Sequence, residues 1–453
     1  MKSLKVDVCI IGAGFAGLAA AYKLKQSGKT LVVLEARDRV GGRVYTHSLS
    51  NNIAINRGGT WLGQGHQRMH ALVKELGMAT YRQYVQGDNL MILNGKTHRY
   101  AGTLPSINLL ALADVGLAMN KLNRMAKQVP LDSPWNSKKA KEWDSQTIGG
   151  WISSRWHVTT DTGQKIIRSI FSDLFMSDPA EVSLLHGLHL IHSLKSLEWI
   201  LSAIGGAQQD LIVGGMQGIA DQLAAKLGAD TIHLKAPVQH IQQDNESIKV
   251  RATNLTVQAE RVIIAIPPIL ASRINYEPAL PLIKSQLLER SAPGQGIKWH
   301  AVYKEAFWRK EGLTGQGADM DDVPNVTIDC SPVSGETGVI AGFAFGPSAR
   351  KLASYSAEER LEVWIKGLKK RFGPRAAEPI AVDEYDWSAD PWARGDMFAH
   401  YAPGVLTGFG RALREPCGRI HWAGTETAIK WSGSIEGATL SGERAAEEVL
   451  KLC

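Results

Sequence analysis

Residues 5–17 read Lys5-Val6-Asp7-Val8-Cys9-Ile10-Ile11-Gly12-Ala13-Gly14-Phe15-Ala16-Gly17. The β-branched run up to Ile11 predicts a buried parallel strand. From Ala16 to Gln26 the sequence is Ala- and Leu-rich and reads as a helix closed by Ser27-Gly28; Thr30 to Glu35 supplies a second strand. Strand, glycine turn, helix and strand in this order make a βαβ unit with a right-handed crossover. In the Gly12-x-Gly14-x-x-Gly17 turn, Gly12 allows a tight bend, Gly14 lets backbone approach a pyrophosphate, and Gly17 brings helix and strand together. Phe15 leads into the helix that Ala16 opens, whose N-terminal N–H groups and dipole favour phosphate. Glu35 lies 23 positions after Gly12, where a carboxylate can accept hydrogen bonds from ribose hydroxyls and would repel a 2′-phosphate, which disfavours NADP.

Just beyond comes Ala36-Arg37-Asp38-Arg39-Val40-Gly41-Gly42-Arg43. Two adjacent glycines between arginines allow backbone to approach a second phosphate while Arg43 neutralises its charge. The competing reading is a solvated charged loop. With Glu35 so close upstream, the combination predicts FAD rather than NAD.

Further along, 104–156 and 161–204 read as helical, and Gly214-Gly215-Met216 introduces a helix through Leu227. Strand-like segments follow at 232–238, 248–252 and 262–266. Lys298–Tyr303 and Val339–Phe345 read as strands of a different sheet, and 419–423 as a strand leading to a closing helix over 434–452. No internal repeat or low-complexity segment is evident.

The chain has 453 residues, 44% hydrophobic and 21% charged, long enough for two interwoven domains. Its net charge of +7 is spread along the sequence, which argues against a nucleic-acid footprint. Cys9, Cys330, Cys417 and Cys453 are too few and scattered for a disulfide framework or a zinc site. Met1 leads directly towards the first strand without a signal-peptide core, and no apolar run is long enough to span a bilayer. A soluble, cytoplasmic setting is expected. His186, His189 and His192 recur every third residue; on a helix such steps drift around the axis, so convergence on one ion is not expected, and they read as helix-surface or cavity-lining groups.

The motifs Gly12-x-Gly14-x-x-Gly17 and Leu34-Glu35-Ala36-Arg37-Asp38-Arg39-Val40-Gly41-Gly42-Arg43 resemble the flavin-containing monoamine oxidase family. So do Arg57-Gly58-Gly59-Thr60-Trp61, Ala265-Ile266-Pro267-Pro268, Phe307-Trp308-Arg309-Lys310, Trp422-Ala423-Gly424-Thr425-Glu426-Thr427, Trp431-Ser432-Gly433 and Glu436-Gly437-Ala438. The resemblance implies an α/β fold, a Rossmann-like FAD-binding domain (1–78, 205–285, 385–453) with an inserted α+β substrate-binding domain (79–204, 286–384). It further implies that Gly58, Gly59, Thr60 and Trp61 run beneath the isoalloxazine, that Val238 contacts adenine through backbone, and that Gly424, Thr425 and Glu426 face the flavin. Ile435, with Ser434, would begin the helix directed at the pyrimidine end of the flavin.

For chemistry, the resemblance implies an oxidase that converts an amine to an imine, with a small-molecule amine and O2 as partners and hydrogen peroxide as product. Lys298 would hold a water at flavin N5 and help dioxygen accept electrons; the alternative is a solvated strand lysine. Trp387 and Trp431 would pack near the flavin, and Leu174, Phe175, Leu201, Gln208, Thr327 and Phe343 would line the substrate cavity. Two positions depart from the family. Met397 occupies the place of a cysteine that bonds covalently to flavin in close relatives, so the FAD is expected to be non-covalent. Of the two aromatic walls that flank the amine, Phe398 keeps one and Ser434 replaces the other, which implies more space, an added hydroxyl and a substrate bulkier than a simple arylethylamine. An L-amino-acid oxidase, for which Arg394 could anchor a carboxylate, a flavin dehydrogenase using a protein or quinone acceptor, and a flavin-binding module without turnover remain alternatives. A homodimer is left open.

Overall fold

The strand Lys2–Ile11 lies inside an eight-stranded sheet, parallel to Leu31–Leu34 on one side and to Leu255–Ile264 on the other, with Ile10 opposite both Val33 and Ile263. This computed structural model describes residues 2–49, 53–102, 105 and 107–452; Met1, Leu104 and Cys453, named above, lie outside them. Val8, Cys9 and Ile10 are fully buried, which explains the unbroken apolar run: both faces of the strand are covered. Ile232–His233 pairs with Leu31–Leu34, and Ile420–Trp422 with Leu255–Ile264, so the sheet gathers strands from three remote segments. The helices Phe15–Gln26, Gln217–Leu227 and Ile435–Leu450 share one hydrophobic core against it. Glycine permits the close packing: a Cβ on Gly442 would lie 2.0 Å from the Ala16 carbonyl oxygen.

A second sheet has the strand order Ala381–Asp386, Gly296–Tyr303, Gly338–Phe345, Val326–Asp329, Leu313–Asp319, Asp88–Leu93 and Lys96–Tyr100. The two expected strands of a different sheet are thus antiparallel neighbours in it, with Lys298 opposite Phe343. One face packs on the helix Ala357–Phe372: Trp299 stacks on Trp364 with ring centroids 5.7 Å apart, and a Cβ on Gly342 would lie 2.2 Å from the Trp364 ring. By strand alternation, Lys298 and Phe343 project from the other face.

A helical layer, including Leu109–Ala126, Asp161–Phe175 and Leu184–Ser193, encloses a further apolar core with Phe398 and Trp431. Asn108, Thr160 and Ser183 cap these helices through their side chains. The architecture is the expected Rossmann-like unit combined with an α+β part. The strand Ala381–Asp386 pairs with Gly296–Tyr303 as far as Asp386, so the expected boundary before residue 385 cuts through a strand of the second sheet.

Candidate functional site

The two glycine turns meet backbone to backbone. The Gly41 N–H donates to the Ala13 carbonyl at 2.9 Å, and a Cβ on Gly42 would lie 3.1 Å from Gly14 Cα. Gly12 has φ +100°, a conformation open to glycine, while a Cβ on Gly17 would lie 1.9 Å from the Gly12 carbonyl oxygen. Side chains are therefore excluded where a pyrophosphate would approach, and the start of the helix Phe15–Gln26 lies beside this slot. Glu35 is buried and braces the turn: its Oε2 accepts the Ala13 N–H at 2.7 Å and its Oε1 the Arg37 N–H at 2.9 Å. The Ala236 N–H bonds the Glu35 carbonyl and the Lys235 N–H the Arg37 carbonyl, so the segment that leads to Val238 runs alongside residues 35–37.

The arginines of the second turn are engaged rather than solvated. Arg37 pairs with Asp390 at 2.7 Å, and Arg39 donates to the carbonyls of Val40, Gly42 and Val44. Arg43 grips buried Glu426 through two bonds, at 2.8 and 3.2 Å. The pair also ties the second turn to the Gly424–Glu426 loop. Gly424 has φ +122°, and the Thr425 hydroxyl donates to the Ser434 carbonyl at 3.0 Å.

The Arg57–Trp61 loop is held from several sides. Arg57 Nε donates to Asp383 at 3.0 Å, and the Trp387 indole N–H donates to the Arg57 carbonyl at 2.8 Å. A Cβ on Gly59 would lie 3.1 Å from Ile435 Cδ1, so this loop also touches the start of the last helix. Lys298 Nζ reaches it from the second sheet and donates to Thr60 Oγ1 at 2.8 Å and to the Gly58 carbonyl at 3.0 Å. It lies 5.1 Å from the Phe343 ring centroid and 5.5 Å from that of Trp61. Lys298 is 3% exposed, and burial pulls its ammonium down to about 8 against the opposing pull of Cys330, Asp396 and Asp383. The solvated-lysine alternative is excluded.

Ser434 departs from expectation. Its hydroxyl accepts the Gly437 N–H at 3.1 Å and donates to the Trp431 carbonyl at 2.7 Å, as the N-cap of the helix Ile435–Leu450. The hydroxyl is committed to the fold, so the replacement contributes absence of bulk rather than a polar group for substrate. Two residues on, Glu436 caps a second helix, Gln67–Glu75, by accepting the Arg68 and Met69 N–H groups at 3.0 and 2.8 Å.

Phe398 is buried against Phe175 (5.7 Å between centroids) and His186 (6.4 Å), and a Cβ on Gly433 would lie 2.7 Å from its ring. Leu174 belongs to the same cluster. Trp431 sits farther along it, 4.9 Å from both His66 and Trp199, with Lys195 over its ring at 5.2 Å. Two expected lining residues face elsewhere. Thr327 pairs with Gly342 and so points to the Trp364 side, whereas its neighbour Ile328 shares a cluster with Phe343. Leu201 ends a short helix 41% exposed, while adjacent Ile200 packs inward. Gln208 lies in the following loop, its N–H bonded to the Ser202 carbonyl.

His186 and His189 are buried rather than on the helix surface. His186 Nδ1 accepts the Tyr401 N–H at 3.1 Å, and His189 Nε2 and His192 Nδ1 lie 3.0 and 2.8 Å from the Leu131 and Val129 carbonyls. Burial keeps the first two neutral, His186 titrating well below the usual histidine range and His189 at about 4. Asp396 went unremarked in the sequence although a carboxylate between Gly395 and Met397 in a cofactor loop was a visible signal. Cys330 and Asp383, which also face Lys298, carried none.

The glycine slot, the braced Glu35 and the convergence of the loops at 41–43, 58–61 and 424–435 fit an FAD laid along the first sheet. Comparison with known proteins agrees. Residues 15–450 match the family model described as flavin-containing amine oxidoreductase. The chain is similar to amine oxidase [flavin-containing] B of Rattus norvegicus, 35% identical over 99% of this chain and 86% of that protein. Among solved structures, it resembles wild-type putrescine oxidase bound to putrescine (TM-score 0.94, 30% identity, 99% of this chain and 100% of that one). It also resembles cyclohexylamine oxidase from Brevibacterium oxydans IH-35A (TM-score 0.95, 32% identity, 99% of each chain).

Proposed function

This chain belongs to the flavin-containing amine oxidoreductase family, and from that premise we propose that it oxidises an amine to an imine with O2 as electron acceptor and hydrogen peroxide as product. Its cofactor is FAD, which when bound supplies a two-electron acceptor. The observation that carries the reading is buried Lys298, tied to Gly58 and Thr60 in the loop that adjoins the nucleotide cradle.

Lys298 spends two N–H donors on the protein and has a third for a water or for dioxygen. Its positive charge in a desolvated position favours oxygen species as they gain negative charge. The substrate side is apolar: Phe398, Phe175 and Leu174 exclude water from one wall, and Phe343 and Ile328 lie on the Lys298 side. Such a lining favours the uncharged amine, the form from which a hydrogen can leave with its electron pair. Ser434 lacks the bulk of an aromatic at this position, which supports an amine bulkier than a simple arylethylamine. Arg394, the cation considered for a substrate carboxylate, is exposed in its loop, so an amine without a carboxylate fits better than an L-amino acid.

The test mixes purified holoenzyme anaerobically with a panel of amines and amino acids, follows flavin absorbance, and then admits air. Bleaching by amines with rapid recolouring and peroxide release is expected. Slow recolouring would indicate an acceptor other than O2, and absence of bleaching with the whole panel would defeat the catalytic reading.

A further inference from the structure

Asp396 begins the strand Asp396–Tyr401 and lies beside Gly294 at a bulge. Its Oδ1 accepts the N–H of the following residue, Met397, at 2.7 Å. Its Oδ2 extends over the first residue of the strand Gly296–Tyr303 of the second sheet, where a Cβ on Gly296 would come within 2.5 Å of it. Gly296 and Lys298 are two apart on that strand and share a face, which puts the carboxylate about 7 Å along the strand from the lysine. The loop that carries Asp396 is held in unusual backbone conformations, with φ of 55° at Arg394 and 29° at Met397.

The hydrogen bond to Met397 explains the shape of this loop, but an asparagine could make it equally well. The negative charge needs another reason, because Asp396 is half-buried and partial desolvation of a carboxylate is costly. Around it lie Lys298 and Arg43 on one side of the balance and Asp386 on the other. Burial raises the Asp396 carboxyl, while the Met397 N–H, Lys298 and Arg43 oppose that rise. Lys298 in turn faces Cys330, Asp396 and Asp383, with His300 and Arg57 nearby.

We propose that Asp396 is a positioning residue whose carboxylate keeps Lys298 protonated and biases the bound flavin against added negative charge. This rests on the FAD and Lys298 assignments made above. Met397, one residue on, stands at the position that the family resemblance sets beside the flavin, so the carboxylate would lie near the bound cofactor. The residue thus acts through electrostatics and touches neither substrate nor the atoms that react.

The test uses holoenzyme of Asp396→Asn, Asp396→Ala and Lys298→Met. Two quantities are read without any amine: the flavin midpoint potential, by equilibration with reference dyes, and the pH dependence of the bound flavin's visible spectrum. In Asp396→Asn the potential, read well below the pH at which Lys298 titrates, is expected to rise and the spectral inflection to move down by about one pH unit, with flavin content and melting temperature retained. Lys298→Met should abolish the inflection. If Asp396→Asn leaves both quantities unchanged, or only Asp396→Ala moves them, the carboxylate serves loop shape alone and the proposal is overturned; an inflection that persists in Lys298→Met overturns it as well. A failure of amines to bleach the flavin would count against the proposed function, separately from these equilibria.

Discussion

Lys298 Nζ donates to Thr60 Oγ1 at 2.8 Å across 238 positions of sequence, which latches the strand Gly296–Tyr303 of the second sheet to the loop 57–60. The bond fixes the ammonium where the FAD cradle and the apolar substrate wall adjoin. Replacing Lys298 by Met removes the charge at similar length. Reoxidation of the reduced enzyme by O2 is expected to slow by about 100-fold, measured by stopped-flow mixing with aerated buffer.

The same group gives a pH dependence. Burial lowers Lys298 to about 8, so the ammonium is present below that pH and is lost as pH rises through it. The oxygen step is therefore expected to be fast below about pH 8 and to decline above it. A flat profile between pH 7 and 9 would contradict the assignment.

The Arg43–Glu426 pair spans 383 positions and is largely buried on the glutamate side. Glu426→Gln leaves Arg43 without its counter-charge and should destabilise the protein by about 3 kcal/mol. Thermal melting and the flavin retained after gel filtration both report the loss.

Ser434→Ala removes the cap of the helix Ile435–Leu450. A loss of about 1 kcal/mol is expected in denaturant unfolding, with the range of accepted amines unchanged, because the hydroxyl already serves Gly437 and Trp431. A changed amine preference would mean that the hydroxyl meets substrate.

Met397 cannot form a thioether link to flavin. Acid precipitation of the holoenzyme should release all yellow colour into the supernatant. Colour left in the pellet would show a covalent bond at another residue.

What could be read from the sequence was what is encoded locally. The first βαβ unit was legible because its period, its glycines and Glu35 lie within 31 consecutive residues, from Lys5 to Glu35. The strands Asp88–Leu93 and Lys96–Tyr100 were not, since one is polar and the other leads into an unremarked turn; their place is decided by pairing with Leu313–Asp319. Thr327 was misassigned for a related reason: only its register against Gly342 reveals which face it occupies. The cap at Ser434 carries a local signal, a serine just before a helical run, whereas the family resemblance speaks only to what the side chain replaces. Arg43 and Glu426 were each noticed, yet nothing local announces that they hold one another.

The interleaving of the first sheet also constrains the order of events in the cell. Leu255–Ile264 separates the opening strand from Ile420–Trp422, and the helix Ile435–Leu450 packs on the helix Phe15–Gln26. During synthesis the opening βαβ unit therefore waits for partners that leave the ribosome hundreds of residues later. Its apolar helix face stays uncovered throughout that interval, and the Glu426 that pairs with Arg43 is absent. Cofactor loading thus belongs after translation, and a nascent chain stalled before residue 420 would be a target for chaperones rather than a flavoprotein.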